Sequence, residues 1–365
     1  MKTVFIFSNP FGYGPSGKAL SIAQYFQEHT ANTNVCICGS QHMLGITGSK
    51  LQTIEVDDRC EEEIVAVLNS VSGDKYVISS QNKFAVKAAK RGNIPSAFLD
   101  GLAWFWTNIP ADHFLADIIF WINYPRIRAK IPINYKDKIV IINGITEALE
   151  KNIITKRKGI TFYIGGCKNP LTPLPRAYLD LTANLLGSAI SKSLPISIST
   201  DSESQKYLRK YPGLNHRIRI SNHTDFLKRM ARSELFVSNG GQTASVEAVN
   251  LNVPTAFYLP INLSQIALIN KVITENPGYP ALGWEKYANL PKSLYQYSEK
   301  QALEYFEDTA KKLLADKQVM ESLRTNFLKL ITPNRQIQKP EALTAIGSSG
   351  AEDIFLVLKD KWGLI

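Results

Sequence analysis

Two glycine clusters hold the backbone positions best suited to chemistry. The first, Gly12-Tyr13-Gly14-Pro15-Ser16-Gly17-Lys18, follows an apolar run and precedes an amphipathic one. It fits the Gly-x-Gly-x-x-Gly of a dinucleotide turn, but residues 34–40, where the acidic ribose partner belongs, contain no Asp or Glu. It also fits Gly-x-x-x-x-Gly-Lys, yet Ala19 stands where Ser or Thr must hold magnesium. Two readings stay open for Gly12, Tyr13, Gly14 and Gly17. One is a tight strand-to-helix turn that needs glycine for steric reasons; the other is a cleft loop whose backbone approaches a ligand.

The second cluster runs from Leu235 through Ser238-Asn239-Gly240-Gly241-Gln242-Thr243, with Glu247 four residues on and Val253-Pro254 beyond it. An apolar strand ending in two glycines, with a helix at once after it, aims free N–H groups and a helix dipole at one point. An anion such as a diphosphate belongs there. Glu247 lies one turn into that helix, within reach of ribose hydroxyls on a nucleotide whose phosphates sit at its start. Pro260 to Gln265, including Asn262, sets polar side chains at the next strand-to-helix junction on the same edge, where open α/β sheets bind ligands.

These junctions need a scaffold. The periodicity predicts strands over 3–8, 34–38, 51–56, 76–80, 96–99, 116–123 and 138–143, with helices over 18–29, 61–70 and 83–91. Strands apolar throughout belong to a sheet covered on both faces, and the helices supply the cover. A polar, basic stretch over 150–159 interrupts the rhythm. It restarts with strands over 160–165, 196–200, 217–221, 235–238 and 255–259. The expected helices cover 177–192, 203–211, 224–233, 243–251 and 264–274, followed by a long helical region over 298–331. A Pro/Gly/Ser-rich connector over 332–350 leads to a last amphipathic segment, 351–362. Two tandem α/β units imply a cleft between them.

Composition supports this reading. The 365 residues carry 42 Lys+Arg against 32 Asp+Glu, a net charge of +10, with 44% hydrophobic and 20% charged residues. Such a chain has ample core material, and roughly 150 residues per domain suggests two domains. Disorder is excluded as an overall description. No run approaches the ~20 apolar residues of a membrane span, and the N-terminus lacks the length and cleavage site of a signal peptide. Cys36, Cys38, Cys60 and Cys167 form no CxxC pair, which points to a cytoplasmic protein with free thiols.

The order Ser-Asn-Gly-Gly-Gln-Thr, a Glu on the next helix, Val-Pro, an apolar strand and Pro-x-x-x-x-Gln resembles the donor-binding signature of GT-B nucleotide-sugar glycosyltransferases. The branch containing the transferase that makes lipid II is the most similar. The resemblance implies two Rossmann-like doubly wound parallel-sheet domains facing each other across a cleft. Residues 1–155 would form the acceptor domain, 156–345 the donor domain, and 346–365 a C-terminal helix packing back on the first. It further implies that Gly240, Gly241, Gln242 and Thr243 hold the donor diphosphate and that Glu247 holds the ribose. Gln265, with Asn262 beside it, would touch sugar hydroxyls. Ile164-Gly165-Gly166-Cys167 resembles the family's other phosphate-side loop, and 350–354 resembles its C-terminal helix. Three strings, 11–18, 100–106 and 259–265, are also similar to cytosylglucuronate synthases, which join glucuronate from its UDP donor to cytosine or hydroxymethylcytosine.

With that family comes an expected mechanism. The helix at Gly240 would stabilise charge on the leaving diphosphate without a metal or other cofactor. No Asp-x-Asp element occurs, and Asp201 reads as a helix cap. The acceptor must lose a proton, so a base is needed from the first domain. Asp100, ending a strand at the ligand edge, is the first candidate and His113 the second. Trp104 and Trp106 are read equally as stacking platforms for a flat acceptor and as packing aromatics. His216 and His223 are assigned to the uracil side or to solvent. The expected partners are a UDP-sugar and a small acceptor. Dispersed Lys and Arg argue against nucleic acid, peripheral membrane contact stays open, and so does the oligomeric state. A UDP-sugar epimerase or hydrolase, or a non-catalytic nucleotide-sugar binder, would share the donor site.

Overall fold

A computed structural model describes the chain apart from residues 1, 46, 48–50, 125–132, 148–155, 220–221, 333–338 and 365 and the side chain of His42. The chain divides into two compact units, Met1–Ala148 with Ala345–Ile365, and Leu149–Thr344.

Unit 1 is built on β1 (Lys2–Ser8), β2 (Thr33–Gly39), β3 (Gln52–Glu55), β4 (Asp74–Ser80), β5 (Ser96–Asp100), β6 (Ile118–Ile122) and β7 (Ile139–Ile142). They form one parallel sheet in the order β3-β2-β1-β4-β5-β6-β7. All of β5 and β6 is buried, which is why these strands read as continuous apolar runs. Helices α1 (Gly14–His29), α2 (Gln41–Leu44), α3 (Glu61–Asn69) and α4 (Lys83–Arg91) connect the first strands. Helix α1 starts four residues before the amphipathic run does, because Pro15 suits a first helical turn. Between β5 and β6 the crossover is a short 3-10 turn, Ala111–Leu115.

Unit 2 contains β8 (Ile160–Ile164), β9 (Ile196–Thr200), β10 (Leu235–Ser238), β11 (Thr255–Tyr258) and β12 (Ala281–Leu282), again all parallel, in the order β12-β11-β10-β8-β9. Its helices are α5 (Arg176–Ser191), α6 (Ser202–Leu208), α7 (His223–Ala231), α8 (Gln242–Asn250), α9 (Leu263–Glu275), α10 (Glu299–Ala315), α11 (Lys317–Ile331) and α12 (Glu341–Thr344). Two expectations change. The strand predicted over 217–221 is a single bridge, Ile198 to Ile218, with 220–221 outside the described residues. The long helix over 298–331 breaks at Asp316, which caps α11 by accepting from Gln318 N and Val319 N.

Helix α13 (Gly350–Trp362) belongs to unit 1. Phe355 packs edge-on against Phe26 of α1 (5.2 Å between centroids), and Trp362 stacks on Tyr76 of β4 (4.8 Å). Asp353 Oδ2 accepts from Asn143 N (2.8 Å) and Nδ2 (2.9 Å). The approach is close: a Cβ on Gly350 would lie 2.2 Å from Asn143 O. Gly350→Ala should therefore cost about 1–3 kcal/mol in urea denaturation. Gly187→Ala, in α5 with nothing within 4 Å of the added methyl, should gain about 0.5–1 kcal/mol. Equal effects of the two substitutions would remove the argument for a tight α13 contact. Burial also pushes the Glu299 carboxyl from 4.5 up to about 7. The folded state thus prefers the protonated acid, and that preference is lost as pH rises from 4.5 through about 7. Relative to Glu299→Gln, the native chain should melt progressively earlier between pH 5 and pH 8.

Candidate functional site

In unit 2 the strand order reverses between β8 and β10, the point where open α/β sheets bind ligands. The loops leaving these two strands are Gly165-Gly166 and Asn239-Gly240-Gly241, so both glycine pairs come together there. Asn239 ties them: its Oδ1 accepts from Gly165 N (3.2 Å) and its Nδ2 donates to Gly165 O (2.6 Å). Gly240 takes φ 88°, and a Cβ there would lie 2.9 Å from Ile269 Cδ1, so only glycine fits. Gly166 takes φ 84°. The Tyr163 ring lies between the loops, close to where side chains on Gly165 and Gly241 would be.

Which helix start is open to an anion follows from the caps. Asp201 caps α6, Asn222 caps α7 and Asn262 caps α9. The α5 start is occupied by the Glu307 carboxylate, which accepts from Ala177 N (2.9 Å) and Tyr178 N (3.1 Å). Helix α8 follows Gly241 with no side-chain cap. Among α5 to α9 its start, at Gln242 and Thr243, is the one with no side chain capping it, the type of position at which helix N–H groups can meet an anion.

One turn further, Glu247 is buried at 2% exposure. His223, the first residue of α7, lies 2.9 Å from its Oε1 by Nε2. That contact has ion-pair distance but not hydrogen-bond geometry, and Oε1 is left as a buried acceptor without a hydrogen-bond partner. A buried carboxylate with an incomplete set of hydrogen bonds, one turn from an uncapped helix start, suits a ligand hydroxyl. His223 is thus placed on Glu247, whereas His216 is exposed elsewhere in the unit.

Gln265 and Asn262 are more heavily committed than free sugar contacts would be. Gln265 Oε1 accepts from Ile261 N (2.8 Å) and Nε2 donates to Gly165 O (3.2 Å), so the side chain braces the glycine loop. Asn262 Oδ1 caps α9 through Gln265 N (2.9 Å), leaving its amide nitrogen on the side of Gly166.

In unit 1, Asp100 and His113 form a pair: His113 Nδ1 lies 2.9 Å from Asp100 Oδ2. Asp100 is 0% exposed, and its Oδ1 accepts from Leu102 N (2.9 Å) and Trp106 Nε1 (3.2 Å). A fully buried carboxylate with both oxygens engaged cannot meet a substrate. His113, 12% exposed in its side chain, has Nε2 left over. The indoles separate as well. Trp104 is buried and stacked on Tyr124 (4.9 Å), a packing aromatic instead of an acceptor platform. Trp106 is half-buried and anchors Asp100.

The first glycine cluster resolves into parts. Gly12 has φ 62° and makes the turn, Gly14 begins α1, and Tyr13 caps it without a side-chain hydrogen bond. Gly17 is buried inside α1, with its amide on Tyr13 O (2.8 Å), so it is not a loop residue. Lys18, 4% exposed, lies near Gly101, as does Gln81. Gln81 holds φ 60°, a strained conformation for a residue with a side chain and one that collects at functional sites. Sequence reading missed Gln81, named Lys18 only within the Gly-x-x-x-x-Gly-Lys pattern, did not pair His223 with Glu247 and gave Asn239 no bracing role. Asn239 alone carried a signal, as the residue between a strand end and a glycine pair.

Among the described residues no group of three or more His, Cys, Asp or Glu is placed to hold a metal ion, and no helix is long and apolar enough to cross a membrane. No family profile and no curated protein sequence matches the chain. Solved structures do. MnaA of S. aureus, in complex with UDP, superposes with a TM-score of 0.55 at 14% identity, over 100% of this chain and 97% of that one. The two-unit parallel-sheet architecture is therefore that of a known class. The fold is GT-B. UDP-GlcNAc 2-epimerase of Neisseria meningitidis, bound to UDP-GlcNAc, shares the GT-B architecture at TM-score 0.52 and 14% identity, over 99% of this chain and 100% of that one. A point variant of Os79 from O. sativa, in complex with UDP, does so at 0.53 and 13%, over 98% and 100%.

If Gln265 braces the glycine loop, Gln265→Ala takes the partner of Ile261 N and one of the two donors to Gly165 O in a buried place. The expected loss is about 1–3 kcal/mol in chemical denaturation. Unchanged stability would return Gln265 to the role of a free ligand contact.

Proposed function

We propose that this protein binds a UDP-sugar in unit 2 and transfers the sugar to a small acceptor, without a metal, using a base from unit 1. The observation that carries the reading is the buried Glu247, paired with His223 but with no hydrogen bond completed at Oε1, one turn below the uncapped start of α8. A nucleoside diphosphate matches both features: pyrophosphate oxygens for the helix start and a ribose hydroxyl for the carboxylate. That two of the structures sharing the fold hold UDP and a third holds UDP-GlcNAc supports the choice of nucleotide.

When the sugar leaves, negative charge grows on the diphosphate. A helix N-terminus carries about half an elementary positive charge, fixed before the reaction begins, so no reorganisation is needed. His113 is the base in this proposal. Asp100 accepts from Nδ1–H, which leaves Nε2 unprotonated to take the acceptor's proton and stabilises the imidazolium that results. A single displacement of this kind inverts the anomeric centre. Glucuronate and a nucleobase such as cytosine are the sugar and acceptor to try first, on the similarity of the three strings alone. A reducing, cytoplasmic setting goes with the reading, since all four cysteines are free thiols.

Epimerisation of a UDP-sugar is the second reading, favoured by the 2-epimerase that shares the fold. It would alter the sugar with no acceptor present, which separates the two by product analysis.

Calorimetry with UDP gives the first test. Glu247→Ala should weaken UDP binding at least about tenfold, or 1.4 kcal/mol, while keeping its melting behaviour. Unaltered affinity overturns the donor site. His113→Ala should lower turnover about 10²–10⁴-fold and leave UDP affinity as it was; undiminished turnover would remove His113 as the base.

A further inference from the structure

We propose that unit 2 has a second anion-binding pocket, on the sheet edge opposite the α8 turn, which takes a multiply charged phosphate group, either free or on a lipid headgroup. The pocket is a cavity of about 910 Å³. Its floor is formed where β8 and β9 begin, at Ile160, Pro195 and Ile196. The α8 turn follows the other ends of these parallel strands. Five residues of β8, at about 3.3 Å each, separate the two edges by roughly 16 Å. A ligand at one edge therefore does not reach the other.

The rim is cationic. Lys158, Arg217, Arg219, Lys228, Arg229 and Arg232 line it, and Asp225 is the one carboxylate among the lining residues. Among the described residues, the structure shows no ion pair for Lys158, Arg217, Arg219, Lys228 or Arg232. The local backbone explains the arrangement. Ile198 N donates to Arg217 O (2.8 Å) and Arg219 N donates to Ile198 O (2.9 Å), so residues 217–219 run extended beside β9. In extended chain, i and i+2 point the same way. Ile218 is buried, and Arg217 and Arg219 both turn to the pocket. Lys228, Arg229 and Arg232 come from α7 and its end, and Arg229 Nη1 donates to Ser199 Oγ (3.1 Å). Burial, and then the charge of Arg219, hold the Arg229 guanidinium below the usual arginine range. So much like charge around one cavity costs stability until an anion neutralises it. Guanidinium forks match phosphate oxygens bidentately, and clusters of them favour phosphate over single carboxylates.

The pocket does not depend on the proposed transfer reaction. Its test is titration of the full chain with inorganic tripolyphosphate, in excess UDP and at about 0.15 M salt, by calorimetry. A second arm is sedimentation with phosphatidylcholine vesicles, with and without phosphatidic acid. The variant carrying Arg217→Glu, Arg219→Glu and Lys228→Glu should lose at least about tenfold in affinity. A charge-matched control with Lys312→Glu, Lys317→Glu and Lys329→Glu, three exposed lysines of α10 and α11, should bind as the native chain does. UDP affinity should be the same in both. Tripolyphosphate binding identifies a free phosphate ligand, and binding only to phosphatidic acid vesicles identifies a lipid headgroup. If the triple variant melts early, Arg219→Glu and Lys228→Glu are tested singly. No binding in either arm, or equal losses in the pocket variant and the control, overturns the proposal.

Discussion

Gly165 O accepts hydrogen bonds from Asn239 Nδ2 and from Gln265 Nε2, and the geometry of the α8 turn depends on that carbonyl. A backbone oxygen in a loop between two strands would ordinarily turn to water. Here two buried amides hold it, and each of them comes from the residue set that opens a neighbouring helix. The loops after β8, β10 and β11 are thereby locked together at the point where the strand order reverses. Buried amides of this kind are costly to leave unpaired, so the loops hold one arrangement. The proposed anion site, made of backbone N–H groups, would need that rigidity, because no flexible side chain can adjust to correct a misplaced turn.

The caps decide where charge can be accepted. Asp201, Asn222 and Asn262 occupy three helix starts in unit 2, and Glu307 occupies a fourth from another helix. The α8 start has no side-chain cap. Unit 1 shows the same economy with side chains. Asp100 is fully buried and holds His113 and Trp106 in place, while the imidazole keeps one nitrogen to spare. The carboxylate that ends the strand is the anchor, and its partner is the more exposed of the two.

The alternation of apolar and amphipathic runs made the two parallel sheets legible, because strands buried on both faces leave an unmistakable record of hydrophobicity. The glycine turn at Gly240 was legible for a related reason: two consecutive glycines between a strand and a helix have few other uses. What stayed hidden depends on contacts between distant residues. Nothing near Gln265 in the chain shows that its amide will be spent on Gly165, one hundred residues away. The pairing of His223 with Glu247, and the burial of Trp104 against Tyr124, are equally invisible until helices and strands are packed. The break at Asp316 is local, but a helix that stops and restarts on a single aspartate looks like one amphipathic run, since the apolar stripe continues across it.

Helix α13 closes unit 1 although it is translated after the whole of unit 2. Phe26 and Tyr76, which it covers, stay bare on a growing polypeptide until α13 leaves the ribosome. Unit 1 therefore finishes folding after unit 2, an inversion of the usual vectorial order. Loss of residues 350–362 would thus injure a unit whose sheet is made long before them.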